Sequence, residues 1–276
     1  MRLKRTIRDY LYNYKGLEIF VREERNKEGK LKMREQIYEE YGSPAKVIEK
    51  CIDIRLFGGT FALKKATKRQ KKSLEEEGSE SLGERAFALT GPVQFKFGRS
   101  LHKIGEPILV RGTTVLPSAE KKAAGTFWEG YILPYSLICF YGVINENAAQ
   151  DTKLTEEDVE LLLDGIWNGT KNLITRSKVG QIPRLLLQVI YKDKNYHIGE
   201  LDKRIKLVSD KRDEELRNIT DLKINLTELA NVLDENKDKI EKIRYKKDKY
   251  LKLLKNEKEI EISDLISNMT FEELNF

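Results

Sequence analysis

The run Arg184-Leu-Leu-Leu-Gln-Val-Ile-Tyr191 limits this chain more than any other stretch. It is almost wholly apolar and too short for a long buried helix, so it predicts a strand internal to a sheet. Residues 2–14 have the other period. Leu3, Ile7, Tyr10, Leu11 and Tyr14 recur at helical spacing, with Lys4, Arg5 and Arg8 off that face. A second helix is marked by Leu154-Thr-Glu-Glu-Asp158, where Thr155 caps and Asp158 completes a box-like pattern. Val159, Leu162, Leu163, Ile166 and Trp167 follow as its inward face.

Between these anchors the pattern predicts strands over Leu17–Glu23, Cys51–Phe57, Thr90–Phe97, Ile108–Leu116 and Tyr131–Ile144, the last bent at Pro134. Residues 31–51 read as helical with a break at Gly42-Ser-Pro44. Gly98-Arg-Ser100 reads as a turn, and Ser118–Gly125 as a hairpin tip. Residues 64–85 change from a Lys/Arg run to Glu75-Glu-Glu77 with few apolar positions, which predicts a loop or insertion. Such a run is either a solvated face or a transient nucleic-acid contact. Residues 201–276 are rich in Lys, Glu, Asp and Leu, and Leu222, Leu226, Leu229 and Leu233 stand at helical spacing. That region is expected to be charged and mainly helical. The order of elements predicts an α+β fold, with two helices on one face of an antiparallel sheet.

Charge is uneven. Residues 1–200 carry a net +7 and residues 201–276 a net −1. A modestly basic body fits nucleic-acid binding, and ordinary surface charge is the competing account. The longest apolar run, Tyr131–Ile144, is too short and too polar to span a bilayer, and no apolar signal core follows Met1, so a cytoplasmic chain is expected. Cys51 and Cys139 read as free thiols, and His102 and His197 stand too far apart for a zinc site. No phosphate-binding loop, HExxH or paired-Cys motif is present, and no metal or cofactor is expected. Asp53 beside Arg55 reads as an acid–base group or, more simply, as a structural ion pair. The basic residues cluster at element ends, where loops follow a phosphate backbone, and Tyr and Phe offer stacking surfaces.

Four stretches carry a resemblance: RLKRTIRDYL at 2–11, DIRLFGGTF at 53–61, LTGPVQFKFGRSL at 89–101 and GTFWEGYILPYSLICFYGVINEN at 125–147. WNGTKNLITRSKVGQIPRLLLQVIY, within 154–191, extends it. Together they resemble the repeated backbone subunit of the CRISPR Cascade surveillance complex, the seventh-named CRISPR-associated protein family in its type I-B form.

The resemblance implies a modified ferredoxin-like, RNA-recognition-motif palm over residues 1–200. A fingers insertion lies at about 26–90 and a thumb hairpin at about 103–130, with the charged helical region at 201–276. It implies a non-enzymatic antiviral-defence subunit that binds guide RNA (crRNA), lines up with other copies of itself and other Cascade subunits, and presents the guide for pairing with invading DNA. No membrane partner is implied. Related type III subunits cut target RNA through a loop Asp, for which Asp53 and Asp151 are the candidates here. A protein-only scaffold is the third reading. Carried over position by position, the RNA-binding candidates are Lys4, Arg5, Arg8, Arg55, Gly58, Gly59, Arg99, Arg111, Lys121, Lys122, Arg176, Lys178 and Gln181. Family members usually place a strand and a loop ahead of the first helix. Here Met1 abuts that helix, so a central palm strand is expected to be missing from this sequence.

Overall fold

The structure is a computed structural model that describes residues 3–62, 86–113, 127–175 and 178–276. It is a mixed α+β fold of small sheets and helices, arranged as two compact units. The first unit comprises residues 1–95, 142–174 and 180–182, and the second residues 96–141, 175–179 and 183–276. Residues 201–276 therefore share a unit with 96–141 and 183–200. Among the described residues, no helix is long and apolar enough to cross a membrane.

In the first unit, α1 (Leu3–Asn13) buries Leu3, Thr6, Ile7, Tyr10 and Leu11. Tyr14 falls beyond the helix and is exposed. Helix α1 packs on a later helix, Glu156–Lys171, whose Gly165 and Gly169 permit the approach. A Cβ at Gly165 would lie 3.0 Å from Ile7 Cγ2, and one at Gly169 3.1 Å from Tyr10 Cβ. That later helix begins as the capping pattern predicts: Thr155 Oγ1 accepts the Asp158 N–H, and Asp158 Oδ2 accepts the Thr155 N–H.

Residues 34–57 form three short helices, α2 (Arg34–Tyr41), α3 (Pro44–Lys50) and α4 (Ile52–Phe57). The break at Gly42-Ser-Pro44 is as expected, with Gly42 at φ 76° and Ser43 capping Lys46 N–H. Two predicted strands are corrected here. Cys51–Phe57 is not a strand: Ile52, Asp53, Ile54, Leu56 and Phe57 are all buried on helix α4. A short helix buried almost all round shows no amphipathic stripe, so its alternating Ile residues imitate a strand. Leu17–Glu23 is not a strand either. The Phe20 and Val21 N–H groups donate to Asp53 Oδ1 at 2.7 Å and Oδ2 at 3.1 Å, so a buried carboxylate takes the place of a neighbouring strand.

The Gly58-Gly59 pair opens strand β1 (Gly58–Ala62), which pairs antiparallel with β2 (Ala86–Thr90). Residues 64–85, read as an insertion, lie outside the described residues. Strand β3 (Val93–Phe95) later pairs with β8 (Gly142–Ile144). The remaining helices of the unit are α5 (Glu146–Thr152) and α6 (Glu156–Lys171).

The second unit holds β4 (Arg99–Ser100) paired with β7 (Ile138–Cys139), where a turn at 98–100 was expected. The long strand expected over 131–144 is divided among β6 (Phe127–Ile132), β7 and β8. Strands β5 (Ile108–Thr113) and β6 (Phe127–Ile132) make the expected hairpin, with Arg111 opposite Glu129 and Gly112 opposite Trp128. Its tip lies outside the described residues. Among the described residues, strand β9 (Leu185–Tyr191) stands at the edge of its sheet and not inside it. It pairs with β12 (Ile240–Lys247), which pairs in turn with β15 (Phe271–Glu273).

The mainly helical tail is likewise corrected. Residues 201–276 contain one α-helix among the described residues, α7 (Thr227–Glu235), with short 3-10 turns and the strands β10 (Lys206–Val208), β11 (Lys223–Asn225), β13 (Leu253–Lys255) and β14 (Lys258–Ile260). Leu222, Leu226, Leu229 and Leu233 are all buried, as their spacing implies, but only Leu229 and Leu233 lie on α7. Leu222 precedes β11 and Leu226 is the helix cap. This core of Leu and Ile also receives Leu185, Leu187 and Val189 of β9.

Candidate nucleic-acid interface

Two of the four sequence stretches, 2–11 and 53–61, and the 89–95 part of a third converge in the first unit. Lys4 and Arg8 stand one turn apart on α1 and both reach the Phe57 ring, at 5.2 Å from Lys4 Nζ and 5.0 Å from Arg8 Cζ to the centroid. Lys4 Nζ also donates to Gln94 Oε1 at 3.3 Å, and Gln94 Nε2 donates to the Gly91 carbonyl at 2.8 Å. Gly91 and Gly58 touch backbone to backbone. A Cβ on Gly58 would fall 2.1 Å from the Leu89 carbonyl oxygen, and one on Gly91 would fall 2.0 Å from the Phe57 carbonyl carbon. Gly58 also has φ 68°, so both its conformation and its packing demand glycine. Burial, then the neighbouring Arg8 charge, pulls the Lys4 ammonium below its ordinary pKa.

The basic candidates differ in what they have left to offer a phosphate. Arg8 Nε pairs with Asp53 Oδ2 at 2.9 Å, and its side chain is 15% exposed. Arg55 engages all three nitrogens within the protein. Nε and Nη2 form a fork on Asp158 at 2.7 and 2.8 Å, and Nη1 donates to the Ile48 and Glu49 carbonyls. That bond with Asp158, with burial opposing it, raises the Arg55 pKa. The expected Asp53–Arg55 ion pair is corrected: Asp53 pairs with Arg8 instead, because residues two apart on a helix point in different directions. Arg5 is the most open of the α1 cations, 56% exposed, with Asp9 at 3.5 Å and Glu23 at 3.4 Å. Gly59 lies in β1 opposite Leu89. Gln181 belongs to this unit, and its buried Oε1 has no hydrogen-bond donor among the described residues.

The other candidates lie in the second unit. Arg99 Nη2 donates to the Asp202 carbonyl at 2.9 Å. Arg111 Nε pairs with Glu129 across the hairpin at 2.8 Å, both exposed. Lys178 sits half-buried in the turn before Gly180. Lys121, Lys122 and Arg176 lie outside the described residues.

The list drawn from sequence omits four groups that shape these clusters: Phe57, Gln94, Lys96 and Asp202. Phe57, Gln94 and Lys96 stand inside the motifs quoted for the resemblance, so motif membership was the available signal. Asp202 gave none, because its partners Lys96 and Arg99 are about a hundred residues upstream.

The family model for CRISPR-associated protein Cas7 matches residues 1–227 of the chain. The chain belongs to the Cas7 family. A CRISPR-associated protein Cas7 of Haloferax volcanii is 30% identical over 270 residues, covering 92% of this chain and 77% of that protein. Among solved structures, a chain of a "CRISPR RNA-guided surveillance complex, pre-nicking" aligns with 98% of this chain and 85% of its own length, at 12% identity and a TM-score of 0.47. A chain of another "CRISPR RNA-guided surveillance complex" aligns with 82% of this chain and 74% of its own, at 14% identity and 0.44. For this Cas7 chain, the clusters around Phe57 and around Asp202 are the places where motif residues and cations coincide.

Proposed function

We propose that this Cas7 chain is the crRNA-binding backbone subunit of a type I-B Cascade complex. Copies line up along the guide RNA and present it for pairing with invading DNA. The Cas7 match over residues 1–227 carries this reading. In it, the protein holds RNA by backbone and shape, and base pairing supplies sequence specificity. In this reading residues 1–200 form the ferredoxin-like palm, a reading supported by the packing of α1 on α6 across Gly165 and Gly169, and the β5–β6 hairpin belongs to the thumb. The chain acts by binding and not by catalysis, among other Cascade subunits in the cytoplasm.

The metal-dependent RNA-cleavage reading loses its first candidate. Asp53 is fully buried and accepts three hydrogen bonds, from Phe20, Val21 and Arg8, so it already has a structural task. The test is a guide-RNA mobility-shift series over increasing salt. Phosphate contacts predict a linear fall of log affinity with log salt. The shallower slope expected for Arg5→Glu, whose side chain is open, locates one contact on α1. Assembly that is indifferent to salt and to RNA would favour a protein-only scaffold instead.

A further inference from the structure

The sequence places Val93, Phe95 and Phe97 on one face of one strand, yet the structure treats them differently. Val93 is buried, Phe95 is half-buried and Phe97 is fully exposed. Single exposed apolar residues are common on any surface. The mount distinguishes this one. Lys96, just before it, donates to the buried Asp202 carboxylate at 3.3 Å, and its Nζ lies 5.5 Å from the Tyr141 ring centroid. The Lys96 N–H donates to the Tyr141 carbonyl at 2.8 Å, and the Tyr141 hydroxyl to the Ile198 carbonyl at 3.1 Å. Arg99, two residues on, donates to the Asp202 backbone carbonyl. Gly98 between them is closed to any side chain, since a Cβ there would fall 2.7 Å from the Phe140 ring and 2.8 Å from Ile138 Cγ2. The segment is thus fixed on both sides of an exposed aromatic ring that packs on none of the described residues, and the two fixing residues are cations.

We propose that Phe97 is a stacking platform for an unpaired base of single-stranded RNA, with Lys96 and Arg99 beside it for the flanking phosphates. The inference rests on the RNA-binding reading above and adds Phe97 to the RNA-binding candidates drawn from the resemblance. A ring and two cations suit this ligand: stacking tolerates every base, as a variable guide sequence requires, while the cations follow the backbone. A protein partner fits less well, because Lys96, Gly98 and Arg99 around the ring add no apolar area to it.

The test uses the full chain and guide RNAs carrying 2-aminopurine at successive positions, read by fluorescence and by affinity over a salt series. Phe97→Ala and Phe97→Leu are expected to weaken binding roughly 5- to 100-fold and to remove quenching at particular positions, with the salt slope unchanged. Phe97→Tyr and Phe97→Trp are expected to bind as the parent does. Because the side chain is exposed, thermal unfolding should be the same in all five proteins. Leu is the deciding variant: it keeps apolar area and loses the aromatic face. If Phe97→Leu binds and quenches like the parent, or if Phe97→Ala alters self-association and leaves RNA affinity alone, the stacking role is overturned while RNA binding stands. If the parent chain shows no salt-sensitive RNA binding at all, the failure lies in the underlying reading.

Discussion

The two units bury different things. The first is tied together by buried carboxylates. Asp53 joins α4 to α1 and to the 20–21 backbone, Asp158 joins α6 to α4, and Asp164 on α6 receives the Tyr10 hydroxyl, the Lys15 ammonium and the Asn168 amide. The second has a core of Leu and Ile, and most of its ion pairs, such as Arg212 with Glu215 or Lys103 with Glu214, lie exposed at the rim. The difference teaches where charge can be spared for a ligand. Cations that answer a buried carboxylate and are themselves largely covered, Arg8 at 15% and Arg55 at 18% exposure, are committed to the fold, because leaving such a carboxylate alone is costly. Cations with open side chains, Arg5, Arg99 and Lys96, the last 47% exposed above Asp202, keep a face for a ligand.

The largest expected effect breaks the first unit at its most occupied carboxylate. Asp53→Ala leaves two backbone N–H groups and the Arg8 guanidinium without their acceptor, and should cost about 3–5 kcal/mol in denaturant unfolding. A cost below about 1 kcal/mol would mean that water replaces the carboxylate and that the contrast between the units is false. In the second unit the corresponding test is apolar. Leu229→Ala, deep in the aliphatic core, should cost about 2–5 kcal/mol. Arg55→Lys sharpens the comparison. It keeps the charge and loses the fork on Asp158, for an expected loss of about 1–3 kcal/mol. Little stability change together with a tenfold loss of RNA affinity would move Arg55 from the structural class to the binding class.

The smallest effect is a pH dependence at the rim. The Lys211 ammonium, with the Arg217 and Asn218 N–H groups, holds Asp221 down to about 2, below its ordinary value of 3.8. A lowered folded pKa stabilises the protein fully above pH 4, and that contribution drains away as pH falls toward 2. Asp221→Asn should therefore flatten unfolding stability between pH 4 and 2 and leave the neutral-pH dependence unchanged. An acid limb identical to the parent's would show that Asp221 is not held there.

Much of this was legible where local signals agree with the fold. The Thr155–Asp158 box and the α1 face from Leu3 to Leu11 are set by residues close in sequence and formed where their patterns said, and the β5–β6 hairpin formed with its second strand a few residues earlier than expected. The errors share one cause. Leu17–Glu23 looks like a strand because its residues suit one, but its backbone donors go to a carboxylate more than thirty residues away. Ile52 and Ile54 alternate like a strand because a helix buried on nearly every side needs no polar face. Leu222 to Leu233 keep helical spacing across a 3-10 turn, a strand and a helix, because all four positions face one core. The candidate site shows the same limit. Sequence motifs named the segments that meet at Phe57, but only tertiary pairing reveals that Arg55 is engaged on Asp158 and that Asp202 holds Lys96 and Arg99.

The central claim, that copies of this Cas7 chain assemble along guide RNA, is tested most directly by light scattering during size-exclusion chromatography with guide RNAs of increasing length. The account predicts that complex mass rises in steps of one chain for each fixed increment of RNA, and that the complexes come apart at high salt. A mass independent of RNA length, or the same assembly formed without RNA, would contradict it.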